Sequence, residues 1–324
     1  MPDRAASRGR VVLAFAAIYV LWGSTYLAIR FAVQTMPPFL MAGTRHLTAG
    51  LILYLWNRRA RARDASKPRA RDWGVAAVIG GLMLLGGNGL VSWAEQRVPS
   101  GLAALIVASV PLWIAILEAL QQRRAPRPAV IAGLLLGLAG LAVLVVPGRF
   151  GGNGHVDPLG AAALLLASLS WASGSLYSRV AKLPVATFVA IAMEMIAGGV
   201  ILWTVGLASG EGARLHLAAV SGRSLLALGY LVVFGSLVGF SAYMWLLTVT
   251  TPARVSTYAY VNPVVAVLLG WAIAGEAVTL RSGLAAAGIV AAVAIIIRYG
   301  GQRRAAVRPA APVVELAMRA GRSS

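Results

Sequence analysis

Two ionisable residues lie deep inside apolar runs of this sequence, Arg45 within the stretch 38–56 and Glu194 within the stretch 186–208. At such depth in a bilayer an ionised side chain costs at least about 2.5 to 3.5 kcal/mol unless it is paired or wetted. A salt bridge between the two would answer that cost, and so would separate placement in a water-filled cavity. The cavity-facing role is the expectation, because ionisable groups at membrane depth mark pathways. Glu194 is the candidate proton-coupling group, and His46 is the other titratable neighbour.

Aromatic and polar residues recur at helical spacing. Trp22, Tyr26 and Arg30 fall on nearly one face by i, i+4, i+8, and Trp171, Ser175 and Arg179 repeat the pattern. Such a stripe could stack on an organic substrate and hydrogen-bond to it; it could equally pack helix against helix, with the two arginines snorkelling to an interface. Pro263 follows Ser256, Thr257, Tyr258, Tyr260 and Asn262, a polar and aromatic cluster ill suited to lipid. Pro111 and Pro263 each remove an amide donor and free a carbonyl one turn earlier. Asn88, Trp93 and Tyr243 complete the candidate wall.

Enzyme signatures are absent from the sequence. It has no phosphate-binding Gly-Lys-Ser/Thr loop, no His-Glu-x-x-His and no Gly-x-Ser-x-Gly elbow. With no cysteine, and with His46, His155 and His216 in unrelated segments, neither a metal site nor a cofactor is expected.

The elements that must position these residues follow from composition. The chain has 324 residues, of which 59% are hydrophobic and 12% charged, against about 45–50% and about 25% in globular proteins. Stretches 11–29, 73–94, 98–117, 128–148, 158–178, 224–253 and 255–275 contain no Asp, Glu, Lys or Arg. Each is long enough for a helix to cross about 30 Å of hydrocarbon. Adding 38–56, 186–208 and 279–297 predicts ten transmembrane helices. The first run follows Arg4, Arg8 and Arg10 but lacks a small-residue cleavage site, so it reads as a retained helix.

Placing the N-terminus in the cytoplasm puts 22 Lys and Arg on that side and 5 on the other, with Arg30 and Arg45 inside spans. Both termini are therefore expected in the cytoplasm. The net charge of +19 reads as topology and attraction to anionic lipid rather than nucleic-acid binding. The expected partners are the lipid bilayer and a small-molecule substrate.

The chain also contains itself twice. A shift of 149 positions superposes Trp22 on Trp171, Ser24 on Ser173, Arg30 on Arg179, Arg45 on Glu194 and Gly50 on Gly199. A shift of 152 matches Trp93 with Trp245 and Pro111 with Pro263. An odd number of spans per unit inverts the second copy, so the fold expected is all-α: ten helices as two inverted five-helix repeats. The expected layout is a cytoplasmic tail 1–10, repeats 11–147 and 158–298, a linker 148–157 and a basic disordered tail 299–324. The pairs Gly133/Gly137 and Gly235/Gly239 permit close helix approach, inside the bundle or at a dimer seam.

Several motifs carry a family resemblance. They are Leu21-Trp22-Gly23-Ser24, the run Val98-Pro99-Ser100-Gly101-Leu102-Ala103-Ala104-Leu105 leading to Val110-Pro111-Leu112-Trp113, Val261-Asn262-Pro263, and Gly275-Glu276-Ala277-Val278-Thr279. With Asn88-Gly89-Leu90-Val91-Ser92-Trp93-Ala94-Glu95-Gln96, they make the chain resemble the EamA-type transporters of the drug/metabolite transporter superfamily over about 290 residues. Arg124 stands where the first repeat would match Glu276, a departure from a symmetric Glu pair. The resemblance implies a bacterial inner-membrane carrier that exports amino acids, other small metabolites or drug-like compounds by alternating access. The rivals are a passive channel, a non-transporting scaffold and, behind them, an intramembrane enzyme.

Overall fold

A backbone surrounded by lipid must satisfy its hydrogen bonds internally. The computed structural model is accordingly helical, with no strand among the described residues. These are residues 7–61, 68–123, 128–145, 157–181, 183–250, 252–256, 258–278 and 280–300. The tail expected at 299–324 lies outside them beyond residue 300, as do Thr257, residues 1–6 and most of the linker 148–157.

The rods in chain order are α1 (Arg8–Ala32), α2 (Pro38–Arg61), α3 (Ala70–Ala94), α4 (Ser100–Gln122) and α5 (Pro128–Val145). They continue with α6 (Pro158–Val180), α7 (Thr187–Ala208), α8 (Gly222–Val249), α9 (Pro252–Val255 and Tyr258–Ala274) and α10 (Leu280–Gly300). Among the described residues six rods, α1, α3, α4, α6, α7 and α8, are long and apolar enough to cross a bilayer. Shorter apolar stretches lie in α5, α9 and α10, while α2 carries Arg45 and His46 and ends in three arginines. Short polar side chains start several rods. Ser7 accepts from the Arg10 amide, Asp157 from Gly160 and Ser221 from Ser224, each satisfying a donor that the first helical turn leaves free.

Two rods are locally widened. Gly81–Gly89 in α3 and Leu231–Phe240 in α8 are π-helical, a geometry that leaves backbone carbonyls for outside partners and clusters at functional sites. Ser170 Oγ donates to the Leu82 carbonyl at 2.7 Å, and Trp22 Nε1 donates to the Gly235 carbonyl at 3.1 Å. Two other rods are interrupted by turns: α4 at Ala108 and Ser109, and α9 at Ser256. Pro111 therefore does not interrupt the interior of a helix. It occupies the first turn of the second half of α4, where no amide donor is needed. Pro263 does lie inside its helix.

The rods pair α2 with α7 and α5 with α10; α1 packs on α8 and α9, and α6 on α3 and α4. Glycine makes the first pairing possible. A Cβ on Gly199 would lie 2.7 Å from the Leu47 amide, and one on Gly50 would lie 2.9 Å from the Ile196 amide. Gly137 faces Leu112 and Ala292, and Gly235 faces Arg45 and Thr25, so both spaced-glycine segments face contacts inside the bundle.

Candidate functional site

At the centre α1, α2, α3, α6, α8 and α9 surround a small chamber, with α4 contributing Val107. Its volume is about 60 Å³, room for a few waters and well below the roughly 300–1,000 Å³ of a typical ligand pocket. Trp22, Trp171 and Tyr258 supply aromatic surface; Arg45, His46 and Asn88 supply polarity. The π-helical stretches explain how bulky groups reach this point. A Cβ on Gly87 would lie 2.8 Å from the Trp171 ring, and one on Gly239 would collide with the Trp22 indole. Glycine at these two places lets each tryptophan approach the backbone of the opposing rod.

The aromatic cluster is cross-linked. Trp22 meets Trp171 and Tyr258 edge-on at 5.5 and 5.3 Å between ring centroids, a geometry that the ring quadrupoles favour, and Tyr243 at a tilt at 5.0 Å. Trp171 Nε1 donates to Tyr243 Oη at 3.2 Å, and Tyr243 Oη and Ser175 Oγ share a hydrogen bond at 2.8 Å. Asn262, with its amide turned to donate, reaches the carbonyls of Ile18, Tyr19 and Tyr258 at 3.2, 3.1 and 3.3 Å, tying α9 to α1. Arg45 is 3% exposed; its Nε donates to Ser236 Oγ at 2.8 Å and its Nη1 faces Asn88 Oδ1 at 3.5 Å. Ser236 Oγ in turn lies 3.3 Å from His46 Nδ1.

Of the residues singled out in the sequence, Trp22, Tyr26, Arg45, Asn88, Trp171, Tyr258 and Asn262 lie on the chamber wall. Ser175 and Tyr243 stand behind it as supports. Trp93 lies elsewhere, half-buried with the Arg97 guanidinium 4.7 Å over its ring. Glu194 is separate too. It lines a cleft of about 500 Å³ between α3, α6, α7 and α8, together with Arg179. Arg45 and Glu194 therefore face different spaces.

At the end of the bundle where α1 finishes, carboxylates from the second half of the chain cap helices of the first. Glu276 accepts from the Ser100 amide at 3.0 Å, Ser100 Oγ at 2.8 Å and the Gly101 amide at 3.1 Å. It also pairs with Arg30 Nε at 3.3 Å. Glu211 accepts from the Phe39 and Leu40 amides at 3.3 and 2.9 Å. Both place negative charge on the positive end of a helix, where free amides and the macrodipole favour it. Arg30 Nη1 also donates to the Val98 carbonyl at 3.3 Å.

Sequence reasoning missed these capping contacts and one buried group. Glu95 is 1% exposed, one turn beyond the chamber residue Val91. Arg30, Arg45 and Glu276 are within electrostatic reach of it. Its signal was a carboxylate in an otherwise uncharged run, obscured because it ends the apolar stretch.

Apolar rods of this length packed around a polar and aromatic chamber are the architecture of a multi-pass membrane protein. The chain belongs to the EamA-like transporter family, whose model matches residues 9–146 and 158–298. It is 42% identical over 300 residues to the uncharacterized inner membrane transporter YedA of Escherichia coli K12, covering 92% of this chain and 94% of that one. Identity to the uncharacterized transporter YvbV of Bacillus subtilis is 26% over 271 residues, covering 84% and 86%. A solved crystal structure aligns over 89% of this chain and 96% of its own with a TM-score of 0.63 at 23% identity, so the two share a fold.

Proposed function

We propose that this protein is a secondary carrier that exports small metabolites, such as amino acids or drug-like compounds, by alternating access. Its ten rods form two inverted repeats, residues 11–147 and 158–298, with both termini in the cytoplasm. Matching irregularities support the repeat: π-helical stretches in α3 and α8, and interrupting turns in α4 and α9. Two related halves around one chamber can rock between states of similar energy.

One observation carries the transport reading. The halves are latched to each other at one end by Glu276 and Glu211, while the other end holds the open cleft beside Glu194. A small central chamber between a latched end and an open one is what a carrier needs in its inward-facing or occluded state. Arg45 offers the chamber a charge partner for a substrate carboxylate, and the tryptophans offer a stacking surface.

Liposomes containing the purified protein test the reading. Labelled amino acid should enter saturably and be accelerated by unlabelled substrate on the opposite side. Flux without trans-stimulation would indicate a channel, no flux across an amino-acid and drug panel would indicate a scaffold, and either result ends the carrier reading. Glu194 is the proposed coupling group: Glu194→Gln should abolish dependence on a pH gradient while exchange persists. Unchanged dependence would remove Glu194 from that role.

A further inference from the structure

The cleft on the unlatched end is larger than the central chamber. It holds about 500 Å³, against about 60 Å³ for the chamber, and so falls in the range that accommodates a small organic molecule. Its buried charged group is Glu194, 3% exposed, whose Oε2 has no hydrogen-bond partner among the described residues. A buried carboxylate oxygen without a donor bears a large desolvation penalty, which a ligand bringing its own N–H donors would relieve.

The walls narrow the choice of ligand. Thr187 and Thr248 offer hydroxyls, and Ile79 and Met244 offer apolar surface. A bare metal cation would need several more hard oxygen ligands, and no second carboxylate lines the cleft among the described residues. Arg179, also on the wall, is exposed and lies within electrostatic reach of Glu118, so its charge is partly answered from outside the cleft. An anionic ligand would meet the Glu194 carboxylate. A primary ammonium on a small carbon skeleton suits both the carboxylate and the apolar walls.

We propose that this cleft is a second binding site, distinct from the central chamber, which takes a small organic ammonium ion with Glu194 as its counter-ion. The proposal stands on the cleft alone and does not require the coupling role or the carrier cycle given above.

The test is binding of phenethylamine to the detergent-purified full-length chain, read by calorimetric titration and by melting temperature. 2-Phenylethanol and 3-phenylpropionate serve as neutral and anionic counterparts. Phenethylamine should bind and raise the melting temperature, and the two counterparts should not. Glu194→Gln should weaken binding by about tenfold or more, the scale of a hydrogen bond to a charged group. Asn88→Ala, which alters the chamber, should retain it. A folded Glu194→Gln protein that binds phenethylamine as the parent does, or equal binding of the alcohol, would overturn the assignment. Should Glu194→Gln fail to fold, Ala190→Phe decides, because it fills the cleft and leaves the carboxylate in place: retained binding there also overturns the proposal. Loss of counterflow with amine binding intact would count against the carrier reading alone, and the reverse against the cleft alone.

Discussion

The carboxylate of Glu276 illustrates what one residue contributes when the fold brings it to the right place. Three donors from the start of α4 and the Arg30 guanidinium converge on it, all from the other half of the chain. Hydrogen bonds to a charged group contribute about 1.5–3 kcal/mol, so in the proposed carrier cycle these contacts would weight the molecule toward closure at this end. Glu276→Gln should loosen it, and a cysteine introduced at Thr25 on the chamber wall should then react faster with a membrane-impermeant maleimide added on the latched side. The chain has no native cysteine to confuse the readout. An unchanged labelling rate would mean that Glu276 caps a helix and gates nothing. Nothing in the order of residues singles out this contact, since Glu276 is 176 positions from Ser100; the Gly-Glu element was visible only as a motif.

At the scale of elements, the π-helical stretches matter most. An apolar, uncharged run predicts a rod over 73–94, and a rod is found over Ala70–Ala94. That signal does not distinguish an α turn from a wider one, because that choice depends on the neighbouring helix. Here Trp22 and Ser170 take the carbonyls that the widened turns release, and glycines make room for the indoles. Gly239→Ala should therefore force the Trp22 ring aside and cost about 1–3 kcal/mol, the usual penalty of overpacking. Gly81→Ala, whose new methyl would have no neighbour nearer than 3.9 Å, should be close to neutral. Thermal melting of the two variants in one detergent provides the comparison. Equal losses would mean that the stretch tolerates no side chain anywhere and that the tryptophan contact is incidental.

For the whole molecule, the distribution of charge makes a prediction about sidedness. Ser7, at the start of α1, and Ala213, in the turn after α7, lie at opposite ends of the bundle. In intact cells a cysteine at Ala213 should react with an impermeant maleimide and one at Ser7 should not. Labelling of both from the same side would break the proposed topology and with it the inverted repeat.

What the sequence determined by itself was the material and its periodicity. Membrane class, helical runs, internal duplication and family can be read locally, because hydrocarbon imposes one rule on every backbone group that crosses it. The types of residue at the chamber were legible too: Trp22, Arg45 and Asn88 are conspicuous wherever lipid surrounds the chain. Only the tertiary structure decided which side chains share a space, because that depends on how rods from distant parts of the chain approach one another. It separated Arg45 from Glu194, placed the latching carboxylates on helix ends across the halves, buried Glu95 one turn from the chamber, and opened a larger space at the cleft than at the chamber.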